Sequence, residues 1–531
     1  MSPPRLRGAW LVFLAALAMS AVFVLCTDNR WEDYYITYRT SKNLVEGHGL
    51  VYQVGEKLHT FTSPLGVLLP ALSLAVTGGS NDEAALALFR AWAACALGGA
   101  CVLLWHSAGR WGWSGLARWF VALLPLLESK TVMFSLNGME SAFMLLFITL
   151  AVAALSRDLR EAWLALGLAW AGLMWTRPDG FVFGGATALA WWVFKPASWA
   201  GLSRAEIFRA YAKSAALALV VYAPWFLWAW HYYGSPIPHT VLAKGAAATL
   251  PGLDSLPALM ANQTVLFPWK GALRGLFLPT YIWFSDWPLG MQWWMHYAAW
   301  VAVFYCVVPG AHPVGRAASL TFLMTSLYVT VAPRAPWYLP SHAVMAMVVL
   351  GAVINDLAAF GSRRHWARWL APALAGLHVL IAVANLGLAF WHVRTQQTLI
   401  ENQRRDVGLW LHSHRASDRD RVFLEPLGYI GFFSQLKMLD NPGLAAPEIV
   451  ALGHRLPNWA AMIAELQPEW LALRQFEARL VYQDNPKLLS EDYQLVHRFD
   501  VSAELAAVPG LPGRIHLEYD QTYEVFQKIR K

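Results

Sequence analysis

WEDYYITYRTSKNLVEGHGLVYQVGEKLHTFTSPL, from Trp31 to Leu65, is the stretch around which the rest of the chain is read. It follows directly on an apolar segment, 9–26, and gathers Glu32, Asp33, Arg39, Lys42, Glu46, His48, Glu56, Lys57 and His59 in a protein that is only 14% charged. So much polarity in the first loop behind an apolar segment marks a surface with a use.

The apolar background supports that reading. Of 531 residues 57% are hydrophobic and 29 are Trp, and the mean hydropathy is +0.38, far from soluble proteins with about a quarter charged residues. An integral membrane protein follows. Indoles suit wide membrane interfaces, with the ring body in lipid and the N–H among headgroups. The net charge of +7 comes from short basic clusters between apolar runs rather than one basic face, which argues against a nucleic-acid partner. Cys26, Cys95, Cys101 and Cys306 all fall inside apolar segments, so neither a disulfide framework nor a metal site is indicated. Arg5 and Arg7 before the first apolar run imitate a secretory signal, but Leu25 before Cys26 is too large for lipoprotein-type processing, and the segment is read as a span.

Apolar windows of about 20 residues are the signal for membrane helices. They lie at 9–26, 84–107, 115–136, 139–156, 162–176, 180–194, 214–231, 291–308, 316–332, 337–355 and 367–391, about eleven in all. The shorter run 65–77 is assigned to the interface. With the amino terminus inside, the inside loops then hold Arg110 and Arg118, Arg157 and Arg160, Lys195 through Lys213, Arg316, and Arg363, Arg364 and Arg368, as the positive-inside rule requires. Counting 65–77 as a span would invert every later loop. The first loop 27–83, the loop 232–290 and the carboxy-terminal tail therefore share the outer side.

The fold class is thus a polytopic α-helical membrane protein, residues 1–392, followed by a soluble α/β domain, 393–531. In the tail the runs RVFLEP, YIGFFSQ and YQLVHRF read as strands, and APEIVALGHRL and WAAMIAELQ as helices. It contains no nucleotide-binding glycine loop.

Ionisable groups at membrane depth cost about 2.5–3.5 kcal/mol each, so those that persist face a cavity or a partner. Here they collect on the outer side: Glu32 and Asp33; Asn137 and Glu140 in SLNGMES; Arg177 and Asp179 in TRPDG; His239 and Lys244 in HYYGSPIPHTVLAK; Arg334, Tyr338 and His342 in PRAPWYLPSH. Each has a plain structural reading. TRPDG can simply stop a helix, with Asp179 paired to Arg177; Glu140 can sit at a helix N-terminus; His106, His231 and His392 suit the interface. What those readings leave unexplained is that five separate clusters meet on one side. If the donor were a lipid-linked sugar phosphate, the phosphate would depart without a strong acid. One carboxylate, Asp33 or Glu32, could then serve as base, worth about 10²- to 10⁴-fold, with Lys244, Arg334 or Arg177 stabilising the phosphate.

WEDYYITYR, NLVEGHGLVYQVGE, TSPLG, NGMES, RPDG, YYGSPIPHTVLAK and PRAPWYLP, in this order and on this topology, resemble the polytopic C-type glycosyltransferases, especially bacterial terminal arabinofuranosyltransferases. GYIGFFSQLKMLDNPGL is similar to the soluble domain of that family. The resemblance implies transfer of a sugar, arabinofuranose among the candidates, from a polyprenyl-phosphate donor to a glycan, lipid or protein acceptor at the outer face of the bacterial cytoplasmic membrane. It places the family's acidic pair at Glu32 and Asp33, with Asp33 as the base. Lys244, Arg177, Arg334, His239 and Arg39 are then expected at the donor, and Glu140, Asp179, Tyr338, His59 and Tyr35 around the cavity. A divalent ion shared by carboxylate and phosphate is compatible with such chemistry, but no dedicated ligand spacing is present and none is expected. Two rivals stand beside this reading. A transporter or flippase of lipid-linked sugar would call for paired halves and charges within spans, neither of which is evident; a non-catalytic assembly partner would have no need of Glu32, Asp33 and Lys244.

Overall fold

The computed structural model describes residues 3–247, 276–280, 287–331, 336–511 and 513–529. Arg334 and most of the loop 232–290 lie outside the described residues.

Each apolar window of the sequence falls on helix, 115–136 on two helices, and further helices lie between the windows. In chain order these are α1 (Pro3–Thr27), α2 (Glu32–Val45), α3 (Pro64–Val76), α4 (Asp82–Arg110), α5 (Gly115–Leu123), α6 (Ser129–Leu136), α7 (Ser141–Leu155), α8 (Leu159–Thr176), α9 (Gly180–Val193), α10 (Arg204–Tyr233), α11 (His239–Ala247), α12 (Leu289–Phe304), α13 (Pro313–Val331), α14 (Leu339–Arg363) and α15 (Leu370–Thr395). Among the described residues, five helical stretches are long and apolar enough to cross a membrane: Arg7–Thr27, Asp82–Arg110, Arg204–Tyr233, Pro336–Arg363 and His365–His414. A sixth is added if α5 and α6, bent by 49° at their junction, count as one span. At 13 residues, α3 rises only about 20 Å, short of the hydrocarbon thickness. Leu97, Cys101, Leu145, Ile148, Val152, Leu166 and the Val344–Val349 face of α14 share one buried core.

The junction of α5 and α6 corrects the expectation that no charge lies within a span. Lys130 and Glu128 form an ion pair at 2.9 Å, with side chains 0% and 3% exposed. Lys130 Nζ and Ser129 Oγ both donate to the Leu278 carbonyl, and Asn385 Nδ2 donates to that of Phe277. These side chains satisfy carbonyls of the non-helical segment 276–280, as irregular backbone inside a bundle requires.

The change of composition at Val393 falls inside a continuous helix. From α15 the chain passes through a π-helical turn, Gln396–Glu401, into α16 (Asn402–His414) without a loop. Beyond it a five-stranded sheet has the order β2-β1-β3-β5-β4, from β1 (Arg421–Leu424), β2 (Lys437–Asp440), β3 (Trp470–Arg474), β4 (Tyr493–Asp500) and β5 (Thr522–Lys528). β1 is parallel to β2 and β3, and β5 is antiparallel to β3 and β4. YIGFFSQ, expected as a strand, is instead the helix α17 (Leu427–Ser434). Its aromatic residues favour a strand by propensity, but nearly every side chain in it is buried, which hides the helical period. Two glycines also admit close neighbours. A Cβ on Gly428 would lie 2.1 Å from the Glu32 carbonyl oxygen, and one on Gly431 would lie 2.1 Å from the Tyr52 hydroxyl. α17 thus packs directly on α2.

Candidate active site

α2 begins at Trp31, in extended conformation, whose N–H donates to the Asn137 carbonyl at 2.9 Å. Asn137 belongs to the SLNGMES turn, where Gly138 adopts φ +97° and approaches the Tyr34 ring so closely that a Cβ would lie 2.5 Å from it. The turn therefore fixes the start of α2 and needs glycine there. Glu32 and Asp33 fill the first helical turn, where the helix dipole favours carboxylates.

Asp33, Ile36 and Thr37 share one face of α2 and line a cleft of about 50 Å³ together with Thr60–Ser63, Met139, Glu140, Arg177, Thr240, Lys244, Trp337 and Leu444. Four sequence-expected residues, Asp33, Glu140, Arg177 and Lys244, are thus brought together. Arg177 ends α8 in extended conformation. Its Nη1 donates to Glu140 Oε1 at 2.8 Å and its Nη2 to the Tyr338 hydroxyl at 2.6 Å. Tyr338 and Tyr328 in turn donate to Asp179 Oδ2, both at 2.6 Å, and Arg177 Nε stands 3.5 Å from Asp179 Oδ1. TRPDG does stop one helix and start the next, and its two charges also tie α8 to α7 and to the start of α14. Arg177 is therefore held in place.

Lys244 is held differently. Its ammonium lies 5.2 Å from the Trp337 ring centre, and among the described residues no carboxylate is within ion-pair distance of it. Burial lowers its pKa, opposed by the charge of Asp33. The Asp33 carboxyl accepts no hydrogen bond among the described residues. Burial raises its pKa; Lys244 pulls it down, and Glu425 and Glu140 push it up. The cleft thus holds, among the described residues, a carboxylate without a hydrogen bond and an ammonium without an ion pair.

Other expected residues go elsewhere. Glu32 points at α17, where Oε1 accepts the Gly428 N–H at 2.5 Å. Burial pushes its pKa up to about 8, with Arg404 pulling down and Asp33 and Glu401 pushing up. Arg39 is buried and donates to the carbonyls of Gly431 (2.9 Å) and Leu436 (3.2 Å), its guanidinium 4.5 Å from the Tyr52 ring centre. Tyr35 packs on Tyr429 and Phe432, with ring centres 4.4 and 4.9 Å away. His59 stacks on Tyr233 at 4.4 Å, and burial lowers its pKa to about 4, so it is neutral. His239 donates from Nε2 to the Gly443 carbonyl at 3.0 Å. None of these five lines the cleft.

The sequence reading missed Thr60 and Thr240, cleft-lining residues whose buried hydroxyls have no hydrogen-bond partner among the described residues; nothing in their sequence context distinguishes them. It also missed Glu425, within electrostatic reach of Asp33 and paired with Arg474 at 2.9 Å. A signal existed for Glu425: it follows the carboxyl end of β1, where sites in parallel sheets gather.

A family model described as a domain of unknown function (DUF8728) matches residues 390–526. No curated protein matches the chain by sequence. Among solved structures, ArnT from Cupriavidus metallidurans bound to undecaprenyl phosphate superposes with a TM-score of 0.55 at 12% identity, covering 98% of each chain. Its apo state gives 0.53, also at 12% identity and 98% of each chain. The Archaeoglobus fulgidus oligosaccharyltransferase, in complex with Zn and sulfate, gives 0.55 at 11% identity over 90% of this chain and 69% of that one. The chain is a polytopic membrane protein with the C-type glycosyltransferase fold that its sequence resembles.

Proposed function

We propose that the chain transfers a sugar from a polyprenyl-monophosphate donor to a glycan, lipid or protein acceptor of the bacterial envelope, at the outer face of the cytoplasmic membrane. Arabinofuranose is the candidate sugar. The observation that carries this reading is the juxtaposition in one cleft of Asp33, which accepts no hydrogen bond among the described residues, with Lys244, which makes no ion pair among them. In this reading the topology has eleven spans with the amino terminus inside, and residues 393–531 form an outer domain. The fold resemblance to an ArnT bound to undecaprenyl phosphate supports a lipid-phosphate ligand.

Asp33 takes the proton of the acceptor hydroxyl as its oxygen attacks the anomeric carbon. The bond from that carbon to the phosphate oxygen breaks, and the phosphate leaves with the electron pair. Lys244 offsets the charge that grows on it. Arg177 is already committed to Glu140, Tyr338 and Asp179, so its part is to hold the cleft's shape and contact the sugar or phosphate edge. Raised by burial, the Asp33 carboxylate is a stronger base than an exposed one, which suits proton removal. The oligosaccharyltransferase structure is a Zn complex; here no three His, Cys, Asp or Glu residues converge among the described residues, and no step is routed through a metal.

The test is transfer by purified protein in nanodiscs from radiolabelled polyprenyl-phosphate sugars to envelope acceptors, with Asp33→Asn beside it. The variant should lose at least about 100-fold in turnover while still binding donor. Near-normal turnover by Asp33→Asn would sink the assignment of the base, and binding without transfer for every donor would favour a carrier.

A further inference from the structure

Among the buried polar atoms of cleft-lining residues that have no hydrogen-bond partner among the described residues are two hydroxyls that the mechanism above does not use. Thr60 Oγ1 and Thr240 Oγ1 are buried, their residues 2% and 6% exposed, and neither has a hydrogen-bond partner among the described residues. A buried hydroxyl left unsatisfied costs about 1–3 kcal/mol, and native proteins pair such groups almost without exception. Two on residues that line one small cleft point to a ligand that supplies the partners.

Their placement says which kind. The His239 N–H donates to the His59 carbonyl at 2.8 Å, which joins the segment before α3 to the start of α11. Thr60 and Thr240 each follow a residue of that bond, so the two hydroxyls come from neighbouring strands of backbone. Thr240 and Lys244 are four residues apart on α11, hence on one face of the helix a turn apart. Both residues line the same cleft, so one ligand there can address both. A phosphate suits this set: it offers several acceptor oxygens, and hydroxyls bind them without adding charge to a cleft that already contains Arg177, Glu140 and Asp33.

We infer that Thr60 and Thr240 are phosphate-binding residues that complete, with Lys244, a grip on the phosphate of the lipid-linked donor. This rests on the donor class proposed above. The experiment is equilibrium binding, by native mass spectrometry of the full chain, of a C55 polyprenyl monophosphate and of the neutral polyprenol of equal length. Thr240→Val should weaken the phosphate lipid about ten- to hundredfold, as loss of one hydrogen bond to a charged group does, and leave the polyprenol unchanged. Thr240→Ser, which keeps the hydroxyl, should bind within about threefold of the native chain. Thr60→Val carries the same comparison if Thr240→Val does not yield folded protein. Native affinity for the phosphate lipid in both valine variants overturns the inference and leaves the proposed function standing. An equal loss for the polyprenol also overturns it, by assigning the threonines to packing. If the native chain itself makes no distinction between the two lipids, the donor class fails and the inference fails with it.

Discussion

The contact of α17 with α2 makes a sharp test of how Asp33 is held. In Gly428→Ala the new methyl would lie 2.1 Å from the Glu32 carbonyl oxygen and 2.5 Å from Oε2. Backbone cannot yield like a flexible side-chain tip, so α17 must retreat by about 1 Å. Overpacking of this sort costs about 1–3 kcal/mol, and the Gly428 N–H bond to Glu32 Oε1, worth about 1 kcal/mol, stretches with it. A total near 3 kcal/mol lowers the docking equilibrium of α17 on α2 about a hundredfold. Hydrogen exchange read by mass spectrometry should show it: amides of 32–45 and 427–434 should exchange up to about a hundredfold faster, while those of α8 and α10 stay unchanged. Transfer should fall in step, because α2 carries Asp33. Native exchange in both segments, together with native transfer, would refute the claim that α17 positions α2.

Other outcomes follow from the charges. The Asp33 carboxyl is raised by burial and must be deprotonated to act, so kcat/KM should climb with pH through a pKa above the ordinary 3.8. Lys244 pulls that pKa down, so Lys244→Gln should slow transfer and move the acid limb to higher pH; an unmoved limb would show that the two groups do not interact. The fold favours protonated Glu32, so its stabilising contribution is complete below 4.5 and is lost as pH rises towards about 8. Glu32→Gln keeps an acceptor for the Gly428 N–H without titrating, and should flatten thermal stability across that window; an unchanged slope would contradict the burial argument. Arg177→Met leaves Glu140, 4% exposed, without its partner, a loss of about 3–5 kcal/mol. Adding Glu140→Gln should recover much of it in thermal unfolding, and a single variant as stable as the native chain would mean the pair is not buried.

What could be read from the sequence depended on whether a residue's surroundings were local. The apolar windows announced their helices; Glu140 and Arg177 stood out as charges at the ends of such windows, and Asp33 and Lys244 as charges in the outer loops. The acidic pair was misleading as a pair. Adjacent residues on a helix point about 100° apart, so with α2 helical from Glu32 onward, positions 32, 35 and 39 form one stripe and 33, 36 and 37 another. Glu32, Tyr35 and Arg39 accordingly meet α17 and the segment after it, while Asp33 meets the cleft. Reading the first loop as a helix would have separated them. YIGFFSQ failed because burial on all sides leaves no period to read. Thr60 and Thr240 could not be found at all, since an unpaired hydroxyl is a property of three-dimensional surroundings.

The unbroken passage from α15 through the π turn into α16 gives chain length a chemical meaning. A loop would absorb an inserted residue; a helix transmits it as a rotation of about 100° and a rise of 1.5 Å in everything that follows. One residue added between 396 and 414 would swing the sheet, and with it Gly428 and Leu444, around the helix axis and away from α2 and the cleft. The phase of this helix, counted in residues, is therefore as much a part of the site's specification as Asp33, and substitutions along it should be tolerated far better than insertions.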